Sequence, residues 1–223
     1  MKIQLLCDTP DSYIHDYINE LCNDIDNGHD VNIIYNKKDI KNGDLLFLLS
    51  CSNILSKNDL KKNKHNLVIH PSKLPEGRGG APLIWKILEG KNRIWFTLFE
   101  ANENIDEGDV YYQEPLEYKG YELSDEIRYK QTMMVFKLVK KFINEYPNQK
   151  KMPQVGLHSH TRPRTPEDSE LDINKSLSEQ FNLLRVVDNN RYPAFFIFNN
   201  HKYILKIYKD NVDYRPPWER GDM

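Results

Sequence analysis

The sequence predicts an α/β fold: a trimmed, Rossmann-like, mostly parallel sheet with flanking helices, plus a small C-terminal helix and β-hairpin extension. Three observations predict it. Apolar runs at 3–7, 31–35, 45–49 and 67–69 are continuous rather than alternating, as in strands covered on both faces. Between the first two, Ile14, Tyr17, Ile18, Leu21 and Ile25 recur at helical spacing across 11–27. At 223 residues the chain is also long enough for one sizeable core, or one domain with an appendage.

The remaining elements follow in order. Residues 35–45 hold too few positions for the crossover helix that joins parallel neighbours. Either those strands are not neighbours or the domain is trimmed, and trimming is the reading preferred here. Residues 56–61 suit a short helical turn. Residues 82–89 suit a helix with Pro82 in its first turn and Gly90 just past its end. Residues 93–101 and 110–118 read as strands. Ser124 is a good N-cap, with Asp125 and Glu126 favouring the positive end of a helix that runs to Tyr146-Pro147. Composition changes at 148–157, which divides the chain into a core of 1–150, an extension of 151–213 and a tail of 214–223. Ser176 and Glu179 have capping-box spacing before Leu177, Phe181, Leu184 and Val187. Strands 194–198 and 203–208, with Asn-Asn-His in the link between them, read as a hairpin. Its aromatic residues Phe195, Phe196, Phe198 and Tyr203 suit either a core or a homodimer contact.

Charge excludes some functions. The 31 basic and 33 acidic residues nearly cancel, and no block of five like charges occurs, which disfavours a large nucleic-acid surface. Cys7, Cys22 and Cys51 lack metal-ligand spacing and read as reduced thiols. His158 and His160 can share a strand face, but no third ligand accompanies them, so no metal is expected. The apolar start MKIQLLC is too short for a signal peptide, and no run approaches a membrane span. A cytoplasmic protein with no membrane partner is the expectation.

The stretch 66–109 concentrates the chemistry. His70 ends an apolar strand before Pro71, which places it at the carboxyl edge of the sheet, where open α/β folds bind ligands. Arg78 lies among Gly77, Gly79 and Gly80, and Asp106 lies in a second loop before Gly108. Taken singly, each has an ordinary structural reading: a capping histidine, a solvated loop arginine, an aspartate beside a turn glycine.

Together, HPSKLPEGRGGAPLIWKILEGKNRIWFTLFEANENIDEGDV resembles the formyltransferase signature H-x-S-x-L-P-x-x-R-G-x-x-P, W-x-I-x-x-G, a strand Thr, and D-x-G. His70, Ser72, Leu74, Pro75, Arg78, Gly79, Pro82, Trp85, Ile87, Gly90, Thr97, Asp106 and Gly108 occupy the matching positions. The resemblance implies N10-formyltetrahydrofolate as cosubstrate and a primary amine as acceptor. It also implies a catalytic Asn, His and Asp. His70 and Asp106 match, but Val68 stands where the Asn is expected. Asn66, on the same strand face, is the candidate replacement if a local bulge carries it forward.

The resemblance implies that the amine attacks the formyl carbonyl to give a tetrahedral oxyanion. His70, with Asn66 if it reaches, would donate to that oxygen. Asp106 would orient the His, and His70 would accept the amine's proton directly or through water. Folate would lie between the third-strand end, with Leu49, Ser50 and Cys51, and the loop of Asn104 and Asp106.

The C-terminal third is similar to short sugar N-formyltransferases of nonulosonic, pseudaminic-acid-type pathways, so the implied acceptor is a nucleotide-linked amino sugar. Arg162, Arg164 and Arg185 suit paired-donor recognition of a diphosphate or carboxylate, or else a loop-locking pair with Asp168. Arg78, Gly79 and Tyr192 complete the expected substrate contacts. Near-neutral charge and the lack of a separate basic C-terminal domain argue against a tRNA acceptor. Two alternatives stay open: a formyltetrahydrofolate hydrolase, and a catalytically weak protein that binds folate or nucleotide sugar.

Overall fold

The structure, a computed structural model, describes residues 1–210, so the tail from 214 lies outside the described residues, as do 211–213 of the extension. Its elements are β1 (Lys2–Cys7), α1 (Ile18–Ile25), β2 (Asp30–Ile34), β3 (Gly43–Ser50), α2 (Lys57–Leu60), β4 (Asn63–His70), β5 (Arg78–Gly79), α3 (Pro82–Leu88), β6 (Arg93–Glu100), β7 (Val110–Glu117), α4 (Ser124–Glu145), β8 (His160–Thr161), α5 (Phe181–Val186), β9 (Ala194–Phe198) and β10 (His201–Leu205).

The main sheet has the order β2-β1-β3-β4-β6-β7. β2, β1, β3 and β4 run parallel, β6 runs antiparallel to β4, and β7 runs antiparallel to β6. The sheet is thus mostly parallel, as the unbroken apolar runs predict. Their meaning is visible in β3. Leu45, Phe47 and Leu49 face the cluster that includes α1 and α4, while Leu46 and Leu48 face a second cluster with Leu6, Ile40 and Leu55. Phe47 meets Phe142 of α4 edge to face.

The short link between β2 and β3 satisfies both readings, since it carries only a 3-10 turn and does not join neighbours. The two strands are not neighbours: both pair with β1, on opposite sides. The link crosses β1 as a 3-10 turn at Lys37–Asp39. Gln4, buried on β1, tethers it by accepting from Lys41 N–H at 2.8 Å and donating to the Lys41 carbonyl at 2.8 Å.

Local capping explains other departures. The pattern over 11–27 breaks into a 3-10 turn and α1, because the Ser12 hydroxyl accepts from Ile14 N–H and starts a tighter turn. Leu123, not Ser124, holds the cap position of α4, and its N–H is met by Glu126 at 2.9 Å. Ser176 and Glu179 do make reciprocal capping bonds, yet α5 begins only at Phe181. Asn199 and Asn200 both have positive φ, so a two-residue turn closes the hairpin and β10 starts at His201 rather than 203.

Residues 152–163 do not run free of the core. Met152 and Val110 exchange main-chain hydrogen bonds at 2.8 and 2.9 Å, and β8 pairs with β5. This strap positions the loop that follows His70.

Candidate active site

His70 is the last residue of β4 and is buried. The polypeptide then folds back over it. Thr97, opposite His70 in register, donates to the Ser72 carbonyl at 2.6 Å, and Gln113 donates to the Leu74 carbonyl at 2.7 Å. The fold-back brings the Gly77 carbonyl to 2.8 Å from His70 Nε2. A carbonyl only accepts, so Nε2 carries the proton and the neutral ring has its lone pair on Nδ1.

That Nδ1 lies 3.6 Å from Asp106 Oδ2. Asp106 sits between β6 and β7 with φ of 56°, and Oδ2 accepts the Gly79 N–H at 2.8 Å. Two glycines make the arrangement possible. At Gly108 a Cβ would fall 1.6 Å from the Glu100 carbonyl oxygen, so no larger residue fits the base of the loop. Gly79 has φ of +93°, and a Cβ there would meet the Thr161 carbonyl at 2.5 Å.

His70, Gly79 and Asp106 open on a cavity of about 500 Å³ at the carboxyl ends of β3 and β4. Leu48, Leu49, Ile54, Leu55, Val68 and Phe99 give it apolar walls, and Asn102 and Asn104 supply polar groups on the Asp106 side. At the other rim Asp8 holds the loop after β3, accepting from Ser52 N–H at 2.8 Å and Asn53 Nδ2 at 2.9 Å. Burial, reinforced by the Asp8 charge, pushes the Cys51 thiol up to about 12. Cys51 therefore stays protonated near neutrality and is a poor nucleophile. Among the described residues no cluster suited to a metal ion occurs.

The expected residues divide sharply. Leu49, Ser50, Cys51, Gly79, Asn104 and Asp106 line the same cavity as His70. Asn66 does not. β4 keeps unbroken register with β3 and β6, so no bulge carries Asn66 forward. Its side-chain amide instead donates to the Leu60 carbonyl at 2.9 Å, about 13 Å down the strand from His70. Val68 is the residue that faces the cavity beside His70.

The arginines expected to hold substrate are also spent elsewhere. Arg185 is fully buried and bound to Glu122 and Asn92, at 3.1 and 2.8 Å. Arg164 donates to the carbonyls of Val186 and Asp168 and to the Ser169 hydroxyl. Arg162 makes a two-pronged pair with Asp168 at 2.7 and 2.5 Å and stacks on Trp85. Arg78 pairs with Glu107 at 2.7 Å. The Tyr192 carbonyl accepts from Ser169, and the residue is absent from the cavity lining. Sequence reasoning missed Gly80, Phe99, Asn102, Thr161 and Pro163 as lining residues. Of these, only Gly80 carried a signal, in the Gly-Gly pair after Arg78.

Residues 26–132, which include His70, Asp106 and most of the cavity lining, match the formyl transferase family model. That segment, just under half of the chain, is what resembles the formyl transferase family. The chain is 27% identical to the methionyl-tRNA formyltransferase of Ehrlichia ruminantium over 182 residues, 79% of this chain and 58% of that protein. The chain spans a little over half the length of the curated relatives it matches. Among solved structures, a methionyl-tRNA formyltransferase from Clostridium thermocellum superposes with a TM-score of 0.80 at 21% identity, covering 96% of this chain and 95% of that one. A sugar N-formyltransferase from Shewanella sp gives 0.71 at 15% identity, over 96% and 99%. HypX from Aquifex aeolicus, in complex with tetrahydrofolic acid, gives 0.73 at 18% identity, over 97% and 39%. The chain therefore has the formyltransferase α/β fold. Among the described residues no helix is long and apolar enough to cross a membrane.

Proposed function

We propose that the protein transfers a formyl group from N10-formyltetrahydrofolate to the primary amine of a nucleotide-linked amino sugar. One observation carries the reading. Within the segment that resembles the formyl transferase family, a histidine with its Nδ1 lone pair free stands beside an aspartate at the mouth of a cavity of about 500 Å³. That volume and its apolar walls, with asparagines at one end, suit a bound cofactor of folate size. HypX, of the same fold, holds tetrahydrofolic acid.

The folate supplies an activated formyl group; the protein's residues handle position and protons. The walls of Leu48, Leu49, Ile54, Leu55 and Phe99 exclude water from the reacting end. His70, fixed by Gly77, accepts at Nδ1 the proton that the acceptor amine must lose. The Asp106 carboxylate, 3.6 Å away, stabilises the imidazolium so formed. Asp106 keeps its aim through the Gly79 N–H.

The acceptor rests on the Shewanella neighbour, which aligns almost end to end, and on the near balance of charge. A second acceptor, methionyl-tRNA, is favoured by the Ehrlichia relative and the Clostridium structure. The test is a screen of the full chain with N10-formyltetrahydrofolate against nucleotide-linked amino sugars and against methionyl-tRNA, read by mass gain of one formyl group. Gain on a sugar supports the reading; gain on methionyl-tRNA alone replaces its acceptor. Formate release without any acceptor makes the protein a hydrolase, and no turnover of the folate at all overturns the reading.

A further inference from the structure

The aim of Asp106 depends on a side chain that lies outside the matched domain. Gln154 is in the strap, 48 residues from Asp106. Its amide nitrogen donates to two main-chain carbonyls, Asp106 at 2.8 Å and Gly108 at 3.0 Å. Its amide oxygen accepts from Arg78 Nη2 at 2.8 Å, and Arg78 Nη1 reaches Glu107 at 2.7 Å. Three consecutive residues of the loop, 106 to 108, are therefore held by one Gln–Arg couple. The next residue after Arg78 in sequence, Gly79, holds the Asp106 carboxylate itself.

We propose that Gln154 is a positioning residue for Asp106, so that the strap 152–163 belongs to the catalytic machinery; this rests on the function proposed above. Three points support the assignment. Asp106 is at φ of 56°, a left-handed conformation that a non-glycine residue holds only when its surroundings fix it. The donors on Gln154 meet the carbonyls on either side of Glu107, which sets the peptide planes that define that turn. Gln154 itself is anchored: Met152 bonds Val110 at the start of β7, and Ser159 meets both the Gly77 N–H through its hydroxyl and the Arg78 N–H through its carbonyl, each at 2.9 Å. The same strap thus contacts the loop that orients His70 and the loop that carries Asp106.

The chemistry at position 154 demands an amide. A carboxylate could still pair with Arg78 but has no N–H for the two carbonyls. Gln154→Glu therefore separates the two halves of the couple with almost no change in size.

The experiment compares the full chain, Gln154→Glu, Asp106→Asn and the double variant, in formyl transfer and in hydrogen exchange of residues 102–109. Gln154→Glu is expected to lower kcat on the order of 10²-fold, the scale for a reacting group displaced by about 1 Å, with the folate KM changed far less. In the Asp106→Asn background it is expected to cost almost nothing more, since the residue it positions is already lost. Exchange at 102–109 is expected to rise while β1 and β3 keep their protection. Full kcat in Gln154→Glu, or losses that multiply in the double variant, would overturn the proposal. Unchanged exchange at 102–109 would overturn it as well, and that measurement needs no turnover. Absence of formyl transfer by the unaltered chain falls on the proposed function and leaves the exchange result to decide the role of Gln154.

Discussion

His70 Nε2 donates to the carbonyl oxygen of Gly77 at 2.8 Å, and this single bond fixes the tautomer of the neutral ring. The bond closes the loop HPSKLPEG, whose Leu74 is tied to the sheet through Thr97 and Gln113. The neutral ring is left with its basic site at Nδ1, on the Asp106 side. The orienting group is therefore a backbone carbonyl, with Asp106 placed to respond to charge on the ring.

Replacing His70 by Gln keeps an N–H for the Gly77 carbonyl but removes the base. His70→Gln is expected to fold with a near-native Tm and to lose about 10²- to 10⁴-fold in kcat for formyl transfer. Steady-state kinetics beside thermal denaturation check this. Near-native turnover in that variant would remove His70 from the mechanism.

Val68 and Asn66 make a paired prediction. Asn66 bonds the Leu60 carbonyl, away from the cavity, so Asn66→Ala should leave kcat within about twofold and cost roughly 1 kcal/mol of stability. Val68 lines the cavity two residues before His70 on the same strand face. Val68→Asn would bring a carboxamide donor to that face. Since one such donor is worth about 10²- to 10³-fold in oxyanion stabilisation, kcat should rise at least about tenfold. A fall in kcat with unchanged folding would show that the valine itself shapes the folate site.

Cys51 offers a test of what the cavity does not use. Its thiol is held up to about 12 by burial and by the Asp8 charge, so almost no thiolate exists near pH 8. Iodoacetamide should label it at least about 10²-fold more slowly than a free cysteine, followed by peptide mass spectrometry. Cys51→Ala should keep kcat within about twofold. Fast labelling, or loss of turnover in the alanine variant, would argue for a reactive thiol instead.

The legibility of the sequence follows the distance over which each relationship acts. Parallel strands were readable because both-face burial leaves continuous apolar runs, as in 45–49 of β3. His70, Gly79 and Asp106 were readable because a 44-residue motif, 66–109, holds them all. The strand order around β1 was not, since the short link after β2 has one composition whether it joins neighbours or crosses a strand. The period of two put Asn66 on the face of His70 but could not say that its amide would be taken by Leu60. The Arg162–Asp168 pair, local in sequence, was legible; Arg185 was not, for a plainer reason. Arg185 is paired with Glu122 and Asn92 across 63 and 93 residues, and Gln154 reaches Asp106 across 48, separations at which one sequence carries no local pattern.

Arg185 and Glu122 give a prediction in stability rather than turnover. Burial alone would raise the Glu122 carboxyl. The Lys130 ammonium at 2.5 Å and the Lys119 N–H at 2.7 Å outweigh it and hold the group at about 2, against its ordinary 4.5. Arg185 adds a second cation, itself buried, at 3.1 Å. Because the folded-state value is depressed, the stabilisation is complete above about pH 4.5 and is lost as pH falls through about 2; a shift of this size corresponds to on the order of 3 kcal/mol. Glu122→Gln leaves the Arg185 guanidinium buried without its counter-charge, so it should destabilise the protein by about 3–5 kcal/mol at pH 7. The gap between the native chain and the variant should then narrow steadily between pH 4.5 and 2, as the native carboxylate is itself neutralised. Urea unfolding at a series of pH values, followed by tryptophan fluorescence, measures that gap directly. A gap that stays constant across the window would mean that Glu122 does not carry the charge dependence, and that Arg185 is held by its bonds to Asn92 and the Glu122 carbonyl alone.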